Sequence, residues 1–413
     1  MTSAAPTPAL SSSTHGTPAG VLIVGAGPAG LALSVALAQA GIASRVLEQA
    51  PLATLEDPPE DGRDIALTHR ARRILEQLGI WQRLPAEEIA PLRQAQVSDG
   101  GSAWVLPFDA RDDGHEALGW LVPNHRIRAA CHAAARAQPL VTLQGDTRAV
   151  GFGRDAAQAW IDAAATGGTI ERHAAPLVVA ADSRFSGVRR LAGIGARMLD
   201  FGRTAIVCRM AHAAEHDGVA HECFRYGNTL AMLPMAGRQS SAVLTVRSDD
   251  APGWLSLSPE AFAQRLAEQF GHRLGSMQAA GDRHAYPLVA TYAHRFADAR
   301  FALVGDAAVG MHPVTAHGYN FGLYGVERLA AALQLAHEAG RDLADAPALQ
   351  RWADEHRRTT LPVYLGTNAI VRLFTDDRAP ARLVRTAVLR VASRLPPLKT
   401  AITRQLTGRR AAA

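Results

Sequence analysis

The apolar positions change period twice within the first 48 residues. Val21 to Val24 is a short unbroken apolar run that stops at Gly25. From Leu31 to Ala40 small and apolar residues recur at helical spacing until Gly41, and Ser44 to Leu47 is again short and compact. That order predicts strand, turn, helix and second strand, a βαβ unit whose strands run parallel.

Further along, a loop rich in Pro, Asp and Glu (Pro51 to Gly62) precedes helical periodicity from Leu67 to Leu78, which ends at Gly79. Residues 93–120 and 203–292 carry alternating stretches such as Ala242 to Val246, the pattern of an antiparallel sheet with one covered face. Leu177 to Ala181 and Phe301 to Val304 are compact apolar runs that read as buried parallel strands. The pattern after Asp345 is helical. A nucleotide-binding domain is therefore expected from separated segments, 21–92, 121–202 and 293–345. A sheet domain for substrate is expected over 93–120 and 203–292, and a helical region over 346–413.

Composition narrows the class. With 413 residues, 48% hydrophobic and 20% charged, the chain is globular and long enough for two or three packed units. Residues 1–20 are rich in Ala, Ser, Thr and Pro without a basic or apolar signal region, and read as a disordered leader. Cys131, Cys208 and Cys223 are few and lack C-x-x-C spacing, so neither a disulfide framework nor a zinc site is expected. A reducing cytoplasm fits, no metal is expected, and no apolar window is long enough to span a membrane. The net charge of +5 comes without a basic and aromatic nucleic-acid motif, so nucleic acid is not expected as a partner.

Gly25-Ala26-Gly27-Pro28-Ala29-Gly30 follows the first strand and opens the helix. Such a turn needs glycine to bend tightly, to let a pyrophosphate near the backbone and to let helix and strand pack; the helix N-terminus then meets the anion. Glu48 lies 18 residues after Gly30, at the end of the second strand, where a carboxylate can accept both ribose hydroxyls. Gly25, Gly27, Ala29, Gly30 and Glu48 thus predict dinucleotide binding, with FAD and NAD both open. A second segment decides between them. Phe301-Ala302-Leu303-Val304-Gly305-Asp306 puts an aspartate at a strand exit, and His312-Pro313 and Gly318-Tyr319-Asn320-Phe321-Gly322 follow. Asp306 can accept from a ribityl hydroxyl, and glycines at 318 and 322 leave backbone amides bare at the start of the next helix, so that Gly318 and Asn320 are expected at the flavin pyrimidine, where a helix N-terminus favours reduced-flavin charge.

These motifs, with Ala180-Ala181-Asp182-Ser183-Arg184-Phe185-Ser186 and Arg189, resemble the aromatic-ring hydroxylases of the p-hydroxybenzoate hydroxylase type, over nearly all of Val21 to Gly408. The resemblance implies an α/β fold: an FAD-binding, Rossmann-like doubly wound domain, an inserted antiparallel-sheet substrate domain and a helical C-terminus. It implies that Asp182 helps to hold FAD and the nicotinamide donor, although Ser183 stands where the family has a glycine able to take positive φ. It also puts Arg63, within Asp61-Gly62-Arg63, beside the flavin, and Asn124 and Arg128 at a helix start that contacts the cofactor.

Leu118-Gly119-Trp120, Leu233-Pro234-Met235, Tyr286-Pro287-Leu288 and the tail with Asn368, Phe374, Leu398-Lys399 and Gly408 are similar to the ubiquinone-biosynthesis branch. The run from Gly305 to Gly318, with Val309 and His317 in place of the more usual histidine and glutamine, resembles a subgroup of demethoxyubiquinol 5-hydroxylases and related enzymes. The implied reaction transfers one oxygen atom of O2 from a C4a-hydroperoxyflavin to a phenol or quinol ring. NAD(P)H or another reductant supplies the electrons, and His312 and Pro313 line the reacting side without an assigned acid or base. From Arg378 on there are nine basic and no acidic residues among Leu, Val and Ile. That segment could rest on an anionic inner membrane face and admit a polyprenylated substrate, or be an ordinary basic helix surface. Rival readings are a hydroxylase of another small phenol, a reductase or halogenase on this fold, and a catalytically silent flavoprotein subunit of a quinone-synthesis complex.

Overall fold

Strand β1 (Val21–Val24) is buried on both faces, as an all-apolar run must be if it lies at the centre of a sheet. The computed structural model describes residues 20–99, 105–165, 168–224, 227–312, 317–375 and 378. Helix α1 (Pro28–Gln39) starts with proline in its first turn, where the fixed φ favours initiation, and buries most of its surface. Then come β2 (Ser44–Leu47), α2 (Leu52–Glu56), β3 (Asp64–Leu67) and α3 (His69–Gln77), the last capped by the Thr68 hydroxyl accepting from Ala71 N. Strands β4 (Ala90–Leu92), β5 (Gln94–Asp99), β6 (Val105–Asp109) and β7 (Gly119–Pro123) lead into α4 (Asn124–Arg136) and β8 (Val141–Gln144). An antiparallel trio follows, β9 (Thr147–Arg154), β10 (Ala159–Ala165) and β11 (Ile170–Ala175), and then β12 (Leu177–Ala180) and α5 (Gly187–Leu191).

The chain next builds β13 (Ala196–His212), β14 (Val219–Phe224), β15 (Thr229–Pro234) and β16 (Gln239–Arg247), then α6 (Ala251–Leu255) and α7 (Pro259–Phe270). It returns through β17 (Met277–Ala279), β18 (His284–Ala293), β19 (Ala297–Asp298), β20 (Phe301–Leu303) and β21 (Val309–Gly310), and closes with α8 (Gly318–Glu338) and α9 (Ala346–Thr375).

The central sheet has the order β19-β20-β12-β1-β2-β8 and is parallel apart from β19. Helices α1, α4 and α8 pack together on it, and the β9–β11 sheet packs against β1, β2 and β12. The larger sheet runs β21-β18-β13-β16-β15-β14-β5-β6, with β17 beside β13; it is antiparallel except where β14 meets β5. One face is covered by α7, giving a core of Ile206, Met210, Leu244, Phe262 and Phe270. The α/β class and its antiparallel insert are as expected. Strand β13 starts at Ala196 rather than at 203, because a bulge between Asp200 and Thr204 lets one long strand pair with both halves of β18. The periodicity from Leu67 also hid β3, which pairs with β7 in a third sheet, β3-β7-β4. Residues 1–19 of the expected leader (1–20) and the basic segment after Arg378 lie outside the described residues.

Candidate active site

The glycine turn is built as the strand end requires. Gly25 has φ +107°, and a side chain there would sit 2.6 Å from Ala181 O, because the end of β12 closes over it. At Gly30 a side chain would overlap the Gly25 carbonyl, whereas at Gly27 it would meet nothing within 4 Å. Gly27 caps α1 with no side-chain bond, so the first amides of that helix point into open space. Glu48 braces the turn from β2: one carboxylate oxygen accepts from Ala26 N at 2.7 Å and the other from Ala50 N at 3.0 Å.

Asp182 leaves β12 directly behind Gly25. Its Oδ2 accepts a long bond from Val188 N at 3.4 Å, while Oδ1 is buried with no partner. A buried carboxylate oxygen left open beside bare helix amides fits a ligand carrying hydroxyls and phosphates. Ser183 meets no demand for positive φ, since the described non-glycine residues of that kind are Asp146, Asp217, His272 and Arg300. Its hydroxyl accepts from Phe185 N at 3.2 Å and shapes the turn in place of glycine.

The second segment folds onto the first. Gly305, at φ +60°, would carry a Cβ 2.9 Å from Ala29 Cβ, and Gly322 on α8 packs against Gly305 Cα. The strand-end turn therefore touches the start of α1. Asp306 pairs with Arg184 at 3.0 Å, and Arg184 also donates to Val289 O. The buried Arg189 donates to Ala307 O at 2.8 Å, so the Asp182 segment clamps the Gly305-Asp306 turn from two sides.

His312 follows β21, buried and edge-on to Phe201 with centroids 4.9 Å apart. Burial, with the nearby Arg184 charge adding to it, pushes its imidazole down to about 4, so the ring is neutral at physiological pH. Pro313 lies outside the described residues. Gly318 is open at the start of α8, where a side chain would meet nothing within 4 Å, and the adjoining His317 packs on Phe321. Asn320 is fully buried, but its side chain turns away: Nδ2 donates to Ala66 O at 2.8 Å and Oδ1 accepts from Thr68 N at 3.0 Å.

A third group gathers on Asp61, which sequence reasoning passes over in favour of its neighbour. Arg63 pairs with its carboxylate at 2.6 Å, Asn124 Nδ2 donates to it at 2.8 Å, and the Tyr286 hydroxyl donates to its backbone carbonyl at 2.6 Å. Burial opposes the Asp61 charge, but the bonds and charge of Arg63 with the Asn124 amide outweigh it and hold the carboxyl below its usual range. The Arg63 guanidinium lies 5.4 Å from the Tyr286 ring centroid. Arg128 sits one turn beyond Asn124 on α4, and its charge reaches Tyr286. The Asp-Gly-Arg run and Tyr286-Pro287 are visible in the sequence; their meeting across 225 positions is not.

Residues 19–353 match the family described as FAD binding domain. The chain is 43% identical over 394 residues to the ubiquinone hydroxylase UbiM of Neisseria meningitidis, covering 94% of this chain and 84% of that one. It is 39% identical over 391 residues to the ubiquinone hydroxylase UbiL of Rhodospirillum rubrum, covering 94% and 90%. Among solved structures, p-nitrophenol 4-monooxygenase of Pseudomonas putida superposes with TM-score 0.76 at 18% identity, over 95% of this chain and 99% of that one.

Proposed function

The chain belongs to the FAD binding domain family, and from that membership we propose how its residues serve as an FAD-dependent monooxygenase that hydroxylates the ring of a ubiquinone-biosynthesis intermediate. The observation that carries the reading is the meeting of the glycine turn, Asp182 and the Gly305-Asp306 turn at one place, with one buried Asp182 oxygen left open there.

The amides of Gly27, Ala29 and Gly30 would take the pyrophosphate, and Glu48 would take the adenosine ribose with lone pairs left over from Ala26 and Ala50. Asp306 and Asp182 would accept from hydroxyls of the cofactor. Asn320 acts through its backbone and by holding α8 against β3, since its amide is already engaged. Arg63 and Asn124, organised by Asp61, would with Arg128 border the isoalloxazine, and Gly318 would leave space for its pyrimidine edge. Bound FAD supplies the reduction and the activation of O2, with NAD(P)H or another reductant as electron source. The chain's own part is to orient the ring and exclude water. A neutral, buried His312, with Pro313 after it, presents an uncharged wall to the substrate.

We assign 21–92, 121–195 and 293–345 to the cofactor domain, with 93–120 and 196–292 as the substrate domain. No described helix is long and apolar enough to cross a membrane. Contact of the basic C-terminal segment with an anionic membrane face, and membership of a quinone-synthesis complex, are part of the proposal because a polyprenylated ring must reach the site from lipid. Expression in cells lacking each quinone-ring hydroxylase in turn tests the reading. Restored ubiquinone in one background is expected. No restoration in any background, with no labelled oxygen entering a ring, would overturn it.

A further inference from the structure

The strand registers sort the larger sheet into two faces. Ala205 lies opposite both Tyr286 and Thr245, Thr245 opposite Thr229, and Thr229 opposite Phe224. Two residues along the same face, Val243 pairs with Ala231, Ala231 with Glu222 and Glu222 with Val97. Glu222 therefore points to the side of Tyr286, whose hydroxyl reaches Asp61, and away from the core under α7 that holds its neighbour Cys223.

On that face its neighbours are Val97, Ala220, Phe224 and Ala231, and no described side chain pairs with it. Burial is the sole cause found among the described residues for a carboxyl pushed up to about 8. Even so, the side chain keeps some accessible surface. A carboxyl set among Val97, Ala220, Phe224 and Ala231, without a described partner and still partly accessible, is open to a ligand. Such a group is costly to keep unless something binds to it.

We propose that Glu222 is a specificity-determining residue for the aromatic substrate, its carboxyl hydrogen-bonded to a hydroxyl or methoxy oxygen of the ring. The inference rests on the ring-hydroxylase reading and deepens it. Uncharged at neutral pH, the carboxyl donates to the ring oxygen without placing a full charge beside it, which suits an electron-rich phenol or quinol. A site built on one such bond rejects a ring that lacks the oxygen.

The test compares wild type, Glu222→Gln and Glu222→Leu, each loaded with FAD, for binding of a phenol carrying one isoprenyl unit and of the same ring without its hydroxyl. Wild type is expected to prefer the phenol, and the glutamine variant, still a donor, to keep that preference. The leucine variant should bind the phenol roughly tenfold more weakly and lose the preference. Its FAD content should be unchanged, and its melting temperature no lower, because leucine removes a lone buried carboxyl. A leucine variant that discriminates as wild type does, in a protein that hydroxylates the phenol, overturns the Glu222 inference alone. A wild type that neither binds nor hydroxylates it overturns the functional reading and this inference together.

Discussion

Gly305 is the residue at which the glycine turn and the strand-end turn, the two halves of the proposed cofactor site, touch. It is left-handed at φ +60°, and its missing Cβ leaves room for Ala29 at the start of α1. Gly305→Ala should therefore cost about 1–3 kcal/mol of stability, combining strain at positive φ with a contact of 2.9 Å, and should lower FAD retention. Adding Ala29→Gly should recover the steric part and leave the backbone part. Melting curves and the flavin-to-protein absorbance ratio of the three variants check this, and full recovery would show that φ carries no cost. Asp61 is the corresponding single point for the third group. Replacing it with alanine removes the shared partner of Arg63 and Asn124 at once, and FAD affinity should fall roughly tenfold, measurable by flavin fluorescence titration. Arg63 was readable from the sequence because Asp-Gly-Arg is a local motif. The role of Asp61 was not, because it depends on Asn124 and Tyr286, which come from α4 and β18.

Elements whose signal is local could be read from the sequence. β1, α1 and β2 have clear changes of period, and β12 and β20 are short apolar runs between turns. β3 was missed because four residues, Asp64 to Leu67, are too few to show a period of their own before α3 begins. The Thr68 cap marked that boundary. The β9–β11 sheet and α7 also escaped: the former has mixed, half-buried strands, and the latter was swallowed by the expectation of continuous sheet from 203 to 292. What holds β3 in place is long-range, since Asn320 on α8 bonds both Ala66 O and Thr68 N. Asn320→Ala would leave two backbone groups buried without partners. A loss of about 1–3 kcal/mol in urea unfolding is expected, together with weaker FAD binding, because the start of α8 loses its tether to β3. An unchanged midpoint would mean that water replaces the amide.

At the scale of the molecule, burial sets opposing titrations whose sum fixes where the fold is most stable. His221, His312 and His356 are held neutral, pushed down to about 4, 4 and 3. The unfolded chain protonates them below about 6.5, so it binds more protons than the native state there, and stability falls as pH drops from 6.5 towards 4. Burial lowers His69, His125, His132, His173 and His212 in the same sense. Glu222 acts in the opposite sense. Its carboxyl, raised to about 8, binds a proton in the native state that the unfolded chain gives up above 4.5, so its contribution is lost as pH rises from 4.5 to 8. Asp64, also raised mainly by burial, has the same sign. Below 6.5 the histidines outnumber these carboxyls and stability climbs with pH; above 6.5 the histidines no longer titrate and Glu222 sets a gentle decline, joined near pH 9 by the buried thiols of Cys131 and Cys208. Maximum stability is therefore expected near pH 6.5, with a slope of about 1.4 kcal/mol per pH unit for each proton of difference. Urea midpoints across pH 5 to 9 would show it, and Glu222→Leu should flatten the alkaline side and steepen the acid limb, where its carboxyl opposes the histidines. A wild-type curve that rises steadily to pH 9 would mean that Glu222 is ionised in the folded protein, and its carboxyl could not then be the uncharged donor that a ring oxygen needs.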